Sequence, residues 1–191
     1  MVEEKYKVVE VTSNSEWDNF LLKTENKNIY SSSEFINNSK VSSKKYFIKK
    51  KDEIFASFHL FLKENTIIIG DRIYSPLNFK LFEKQNLSSL KYKKFEIIDI
   101  YANFIKNNFK SGEICLDFNT NDLRPFYWIN FNEKKEIFNT KSVKYTSTLN
   151  IKDTLNINKY SDISSDIIYK NFSRSLKQQI TKPSSQDFQF K

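Results

Sequence analysis

The ten residues Asp122-Leu123-Arg124-Pro125-Phe126-Tyr127-Trp128-Ile129-Asn130-Phe131 bring together an acid, a guanidinium and four aromatic rings. Two readings are open. Asp122 and Arg124 pair at a strand entrance packed on aromatic core, or they wall a substrate groove in which Arg124 holds an anionic group through its planar fork. Pro125 is expected to push Arg124 towards an extended conformation. A second basic group, Lys170, Arg174, Lys177 and Thr181, shares one helical face opposite Ile168, Phe172, Leu176 and Ile180. That face is either simply solvated or binds the phosphate of a nucleotide, a lipid diphosphate or RNA.

Other chemistry is excluded by what the chain lacks. Gly70 and Gly112 are its two glycines and lie 42 positions apart. No Walker loop, dinucleotide fingerprint or glycine-rich pyrophosphate loop can be built from them. His59 is the single histidine and Cys115 the single cysteine, so neither a His-based metal site nor an internal disulfide is expected. His59, beside Phe58 and Phe61, reads as a half-buried strand residue, with a general base as the alternative. Cys115, in an apolar stretch, reads as a small core residue. No catalytic base can be assigned.

The charge is ambiguous as well. The 191 residues carry a formal +8, which invites a nucleic-acid or anionic-membrane reading. Yet 28 of the 31 cationic residues are Lys, and only Arg72, Arg124 and Arg174 are Arg. Abundant Asn, Ile, Phe and Lys with scarce Gly, Ala and Pro is the signature of AT-rich codons, which needs no ligand to explain it. The apolar content of 39% is enough for a core, and no run approaches a membrane span. The N-terminal residues lack the apolar run of a secretory signal. A soluble cytoplasmic protein of one domain, or two small ones, is the expectation.

These side chains need a scaffold, and the patterning predicts a mixed α/β one. Residues 5–11 alternate as a short strand, and Ser13 and Glu16 form a capping box opening a helix with Trp17, Phe20 and Leu21 that ends near Asn26–Asn28. A short helix capped at 31–33 carries Phe35 and Ile36, and Tyr46 starts a strand. Residues 53–62 read as a central strand: Ile54, Ala56, Phe58, Leu60 and Leu62 face one way, Phe55, Ser57, His59 and Phe61 the other. Thr66–Ile69 is a further strand, and residues 71–76 are loop or edge. A helix over 86–109 aligns Ile98, Tyr101, Ile105 and Phe109 after Leu87 and Leu90, and stops at Ser111-Gly112. Strands are predicted at 113–118, 126–131 and 143–151, and a last helix at about 161–181. The expected fold is a layered sheet with helices on both faces.

The order of these patches resembles the FemAB-like branch of the GNAT acyltransferase superfamily. Four stretches carry the resemblance: Glu16–Phe20 with Ile29–Phe35; Glu53–Leu62; Arg124–Phe131, similar to an Arg-Pro-Phe-x-Trp stretch; and Tyr145–Ile151 with Phe172–Lys177. It spans nearly the whole chain, but such proteins usually have two GNAT-like halves and about twice this length. The resemblance therefore implies an N-terminal GNAT-like domain over 1–160, a connecting basic amphipathic helix over 161–182 and a polar tail, 183–191, that begins a truncated second half. It also implies transfer of an acyl or aminoacyl group to an amine of a cell-envelope precursor or related small molecule, with acyl-CoA or aminoacyl-tRNA as donor. Arg124, Trp128 and Tyr145 would line the acceptor groove; Arg174 and Lys177 would hold phosphates. Two alternatives stand beside it: a non-catalytic basic module binding RNA or an anionic envelope component, and an α/β domain of no assignable activity.

Overall fold

A computed structural model describes residues 6–25, 28–70, 73–82, 86–117, 120 and 122–142. The chain divides into two units, Met1–Val143 and Lys144–Lys191, and every described residue belongs to the first. Tyr145, Arg174, Lys177, the strand expected at 143–151, the helix expected at 161–181 and the expected boundaries near 160 and 182 lie outside the described residues.

The sheet begins with β1 (Lys7–Val11), β2 (Ser42–Lys50) and β3 (Glu53–Lys63), each antiparallel to the next. Glu64 and Asn65, both at positive φ (49° and 64°), turn the chain back into β4 (Thr66–Ile68), as a two-residue hairpin requires. Further along the chain, β5 (Leu77–Phe79) pairs with the same edge of β3, beyond β4. The 22-residue helix α3 (Leu87–Asn108) then carries the chain to β6 (Ser111–Gly112), which is parallel to β4, as a parallel neighbour demands a crossover. The order is β1-β2-β3-β4-β6, with β5 on β3.

Helices cover both faces, so the fold is a mixed α/β layered sheet, as the patterning predicts. On one face α1 (Asn14–Leu21) and α2 (Ser33–Asn38) bury Trp17, Phe20 and Ile36 against Val11, Phe47 and Phe61. On the other, α3 and α4 (Arg124–Glu133) bury Ile98, Tyr101, Ile105, Phe126 and Ile129 against Tyr46, Phe58, Leu60 and Phe79. Leu87, expected with the α3 stripe, is exposed.

Local chemistry departs from expectation at several points. Ser13 accepts from the Glu16 amide (3.2 Å), but the Glu16 carboxylate turns to Lys49 (3.4 Å), leaving the capping box half made. The helix it opens ends at Leu21, earlier than expected. In β3, Ala56 pairs with Ile48 while Ile54 pairs with Lys49, so Phe55 is an extra residue. Such a one-residue slip exchanges faces. Phe55 joins the α3 side with Tyr6, and Ile54 the α1 side, the reverse of strict alternation. His59 is 1% exposed and fully buried rather than half-buried, packed edge-on to Trp17 and Phe61.

The largest correction concerns 126–131. This segment is helix α4, not a strand. Pro125 stands in its first turn, where the missing N–H has no helical acceptor to lose, and Arg124 opens the helix instead of extending. At 113–118 the expected strand is not formed among the described residues; ladder pairing stops at Gly112, and beyond it Glu113 donates to Ile67 O (2.9 Å) and Cys115 O accepts from Ser75 N (2.5 Å). Helix α3 itself ends at Asn108, capped at Phe109, so Ser111-Gly112 is β6 rather than a helix stop.

Candidate functional site

Because 124–133 is a helix, residues four apart stack on one face. Arg124 and Trp128 meet that condition. Both reach Phe95 on α3: the guanidinium lies 5.0 Å from the Phe95 ring, and the Trp128 ring meets it edge-on at 5.0 Å. Lower in the same seam, Lys106 of α3 pairs with Glu133 of α4 (2.5 Å). The contacts advance together, Phe95 with 124 and 128, Lys106 with 133, so the two helices run in the same sense. Pro125, Phe126 and Ile129 face the core, while Tyr127, Trp128 and Phe131 stay outside, Trp128 53% and Phe131 82% exposed. A helix apolar on both sides leaves one side for something other than its own core.

Arg124 is oriented in advance. Its Nε donates to Asp122 Oδ1 (2.9 Å) and one Nη to Asp122 Oδ2 (2.6 Å), and its backbone N–H also reaches Oδ1 (3.2 Å). This bidentate pair holds the Asp122 carboxyl below its ordinary range. Among the described residues the remaining guanidinium N–H groups have no acceptor, and the side chain is 63% exposed. The pair is thus at the surface, at a helix entrance. The ion pair of the first reading is formed, and Tyr127, Trp128 and Phe131 stand exposed on the helix that follows it.

Sequence reading missed two residues of this seam. Phe95 and Asp99 are one helical turn apart on α3, and Lys106, seven residues further, falls on the same stripe. Phe95 and Lys106 each touch α4, and Asp99 comes between them along α3. Burial pushes its carboxyl above the ordinary range, a side-chain hydrogen bond from Asn103 countering only in part. The Phe95–Asp99 spacing was visible in the sequence. What hid it was reading 126–131 as a strand, which left α3 with no second helix to form a seam.

A desolvated acid has a consequence for stability. The folded state holds the Asp99 proton more tightly than the unfolded chain does. Stability therefore falls as pH rises through its raised titration range, and the loss is absent below the ordinary carboxylate pKa. Asp99→Asn is expected to raise the unfolding midpoint at pH 7 by an amount worth at most about 1 kcal/mol, since water screens this partly exposed group. The gain should vanish below about pH 4. Thermal unfolding of both proteins across that range checks it, and an equal or lower midpoint for the variant at pH 7 refutes it.

The opposite face carries a second polar set that ties elements together. Trp17 Nε1 donates to Ser31 O (2.7 Å), Ser31 Oγ to Asn78 Oδ1 (3.0 Å), and Asn78 Nδ2 to Ser57 Oγ (3.3 Å). Asp18 accepts from the Ser33 amide (3.0 Å) and hydroxyl, and Lys45 donates to Asn14. Burial lowers the Lys45 ammonium, and Asp18 opposes this. These bonds join α1 to α2, β2, β3 and β5. Cys115 is half-buried, with its amide donating to Ser75 Oγ (3.3 Å). Among the described residues no group of three or more His, Cys, Asp or Glu could hold a metal, and no helix is long and apolar enough to cross a membrane.

Part of the surface charge is met within the chain. Lys44, Lys49, Lys80, Lys94, Lys106 and Lys141 each pair with a Glu. Residues 144–191 hold eight Lys or Arg against four Asp, half of the net +8.

No protein-family model matches the chain, and no curated protein sequence matches it. Among solved structures it is similar to a possible acetyltransferase from Clostridium difficile 630, at 11% identity and a TM-score of 0.32, over 75% of this chain and 99% of that one.

Proposed function

We propose that this chain is an acyltransferase of the FemAB-like kind, or one half of such an enzyme, moving an acyl or aminoacyl group onto an amine of a cell-envelope precursor or related small molecule. The observation that carries the reading is the Arg124–Phe95–Trp128 cluster. An exposed, pre-oriented guanidinium stands beside aromatic faces that no core requires, suited to an acceptor with an anionic group. The layered sheet with helices on both faces is the scaffold the sequence resemblance implies. The roles of Tyr145, Arg174 and Lys177, and acyl-CoA or aminoacyl-tRNA as donor, rest on that resemblance alone.

In this reaction the amine nitrogen attacks the acyl carbon. The bond to the donor's sulfur or oxygen breaks, and the leaving group departs with a proton the amine gives up. A positioned base contributes roughly 10²–10⁴-fold, and one donor to the developing oxyanion roughly 10²–10³-fold. No covalent intermediate on the protein is required.

The test is incubation of the purified chain with acetyl-CoA or an aminoacyl-tRNA and a pool of amine acceptors, followed by mass spectrometry. A mass-shifted acceptor is expected. Arg124→Ala should lower kcat/KM about tenfold to a hundredfold, the worth of one charged hydrogen-bond partner. No shifted product with either donor, or full activity in Arg124→Ala, overturns the reading.

A further inference from the structure

The outer face of α4 carries rings along its length and cations at both ends. Arg124, Tyr127, Trp128 and Phe131 follow the i, i+3, i+4, i+7 spacing of a single helix face. The three rings are 51%, 53% and 82% exposed, while Pro125, Phe126 and Ile129 on the other side meet the core. Residues 137–140 fold back without covering them. Asn130 ties that return beside Phe126: it accepts from the Ile137 and Phe138 amides (2.9 and 2.8 Å) and donates to Phe138 O (2.5 Å), and the Phe138 ring meets Phe126 edge-on. Tyr127 shares a hydrogen bond between its hydroxyl and that of Thr140 (3.1 Å), and its ring stays open.

Charge says what such a face can meet. Arg124 stands at one end with N–H groups to spare, and Lys134 and Lys135, both exposed, follow at the other. Of the acids over 122–142, Asp122 is held by Arg124 and Glu133 by Lys106, leaving exposed Glu136 against the two lysines. A second copy of the chain is a poor fit. Stacked antiparallel, two such faces bring Arg124 against Lys134 and Lys135; stacked parallel, they bring each cation onto its own kind. A nucleic acid strand needs ring planes set along a cationic groove. Here the cations flank the rings, and two of the three are Lys, a point charge rather than a phosphate-matching fork. An anionic surface asks only for rings that enter its boundary layer and cations that stay among its headgroups.

We propose that the outer face of α4 docks the protein on an anionic lipid bilayer. Tyr127, Trp128 and Phe131 enter the boundary between headgroups and acyl chains, and Arg124, Lys134 and Lys135 meet the lipid phosphates. A ten-residue helix lies in that boundary and does not cross it. The inference does not depend on the acyltransfer reading, because Phe131, Lys134 and Lys135 take no part in the Arg124–Phe95–Trp128 cluster and the test needs neither donor nor acceptor.

The test is binding of the full chain to vesicles of phosphatidylcholine alone and of equimolar phosphatidylcholine and phosphatidylglycerol, by co-sedimentation and tryptophan emission. The chain has two tryptophans, and Trp17 is 0% exposed, so lipid contact is reported by Trp128. Binding to the anionic vesicles is expected, with emission shifted to the blue and quenched by brominated acyl chains. Raising salt from about 0.1 M to about 1 M should weaken it. Phe131→Ser should weaken it about tenfold, and Lys134→Gln and Lys135→Gln about fivefold each. Leu22→Ser, which removes an equally exposed apolar side chain on the opposite side of the sheet, should leave it unchanged. Circular dichroism and thermal unfolding show that each variant is folded. No binding to anionic vesicles, binding that Phe131→Ser leaves intact, or binding with Trp128 emission unmoved overturns the proposal, whatever the transferase assay gives. Capture of a single-stranded oligonucleotide, or self-association, that is lost in Phe131→Ser while vesicles go unbound overturns it in favour of that partner.

Discussion

Trp17→Ala is expected to cost about 3–5 kcal/mol, a large share of the stability of an ordinary domain. Trp17 is 0% exposed and stacks on Phe47 at 5.7 Å. Removing it opens a cavity between α1 and the sheet that Phe20 and Ile36 are too constrained to fill. It also strips the indole N–H from Ser31 O in a place closed to water, since Ser31 is fully buried. The loss spreads because Ser31 continues the chain of bonds to Asn78 and Ser57, linking α1 to β5 and β3. Trp17→Phe keeps much of the packing and orphans the carbonyl only, so about 1–3 kcal/mol is expected from it. Urea unfolding of both variants checks the pair. A Trp17→Ala loss below about 1 kcal/mol would mean α1 does not seal this face.

Gly112→Val should cost about 3 kcal/mol or more, for a steric reason. A Cβ at Gly112 would stand 2.5 Å from Ile67 Cβ and 2.7 Å from its backbone N and O. Backbone cannot step aside as a side chain can. The contrast is Gly70, where the Cβ would meet only the edge of the Phe61 ring. The substitution forces β4 and β6 apart at their parallel pairing, which spans Thr66–Ser111 and Ile67–Gly112. Hydrogen exchange at the Glu113 amide, bonded to Ile67 O, should accelerate beyond the global change in stability. Unchanged exchange there, with stability within about 1 kcal/mol of the parent, would show that this edge of the sheet is not closed by that contact.

Much of the frame is legible in the sequence. The Ser13 cap, the two-sided strand 53–62, the α3 stripe through Ile98, Tyr101 and Ile105, and helices on both faces follow from periodicity and capping chemistry, which act within a few residues. The 126–131 segment was not legible by those means. Phe-Tyr-Trp-Ile-Asn-Phe has strand-like composition, and only contacts with α3 through Phe95, Tyr101 and Lys106 select the helix. Tertiary packing overrides an aromatic, β-branched preference of this size. The same holds for Phe55, whose facing is decided by a bulge register that no local pattern encodes.

By itself, then, the sequence determined which residue types are present to work with: an Arg beside an acid and a run of rings, one His, one Cys, and no glycine loop. It also determined the alternation of elements, because both are local properties. Only the tertiary structure decided that Arg124 and Trp128 share a helix face and that both meet the Phe95 ring. Those facts depend on how α3 and α4 lie against each other, and the side chains that fix that arrangement are more than twenty residues apart in the chain.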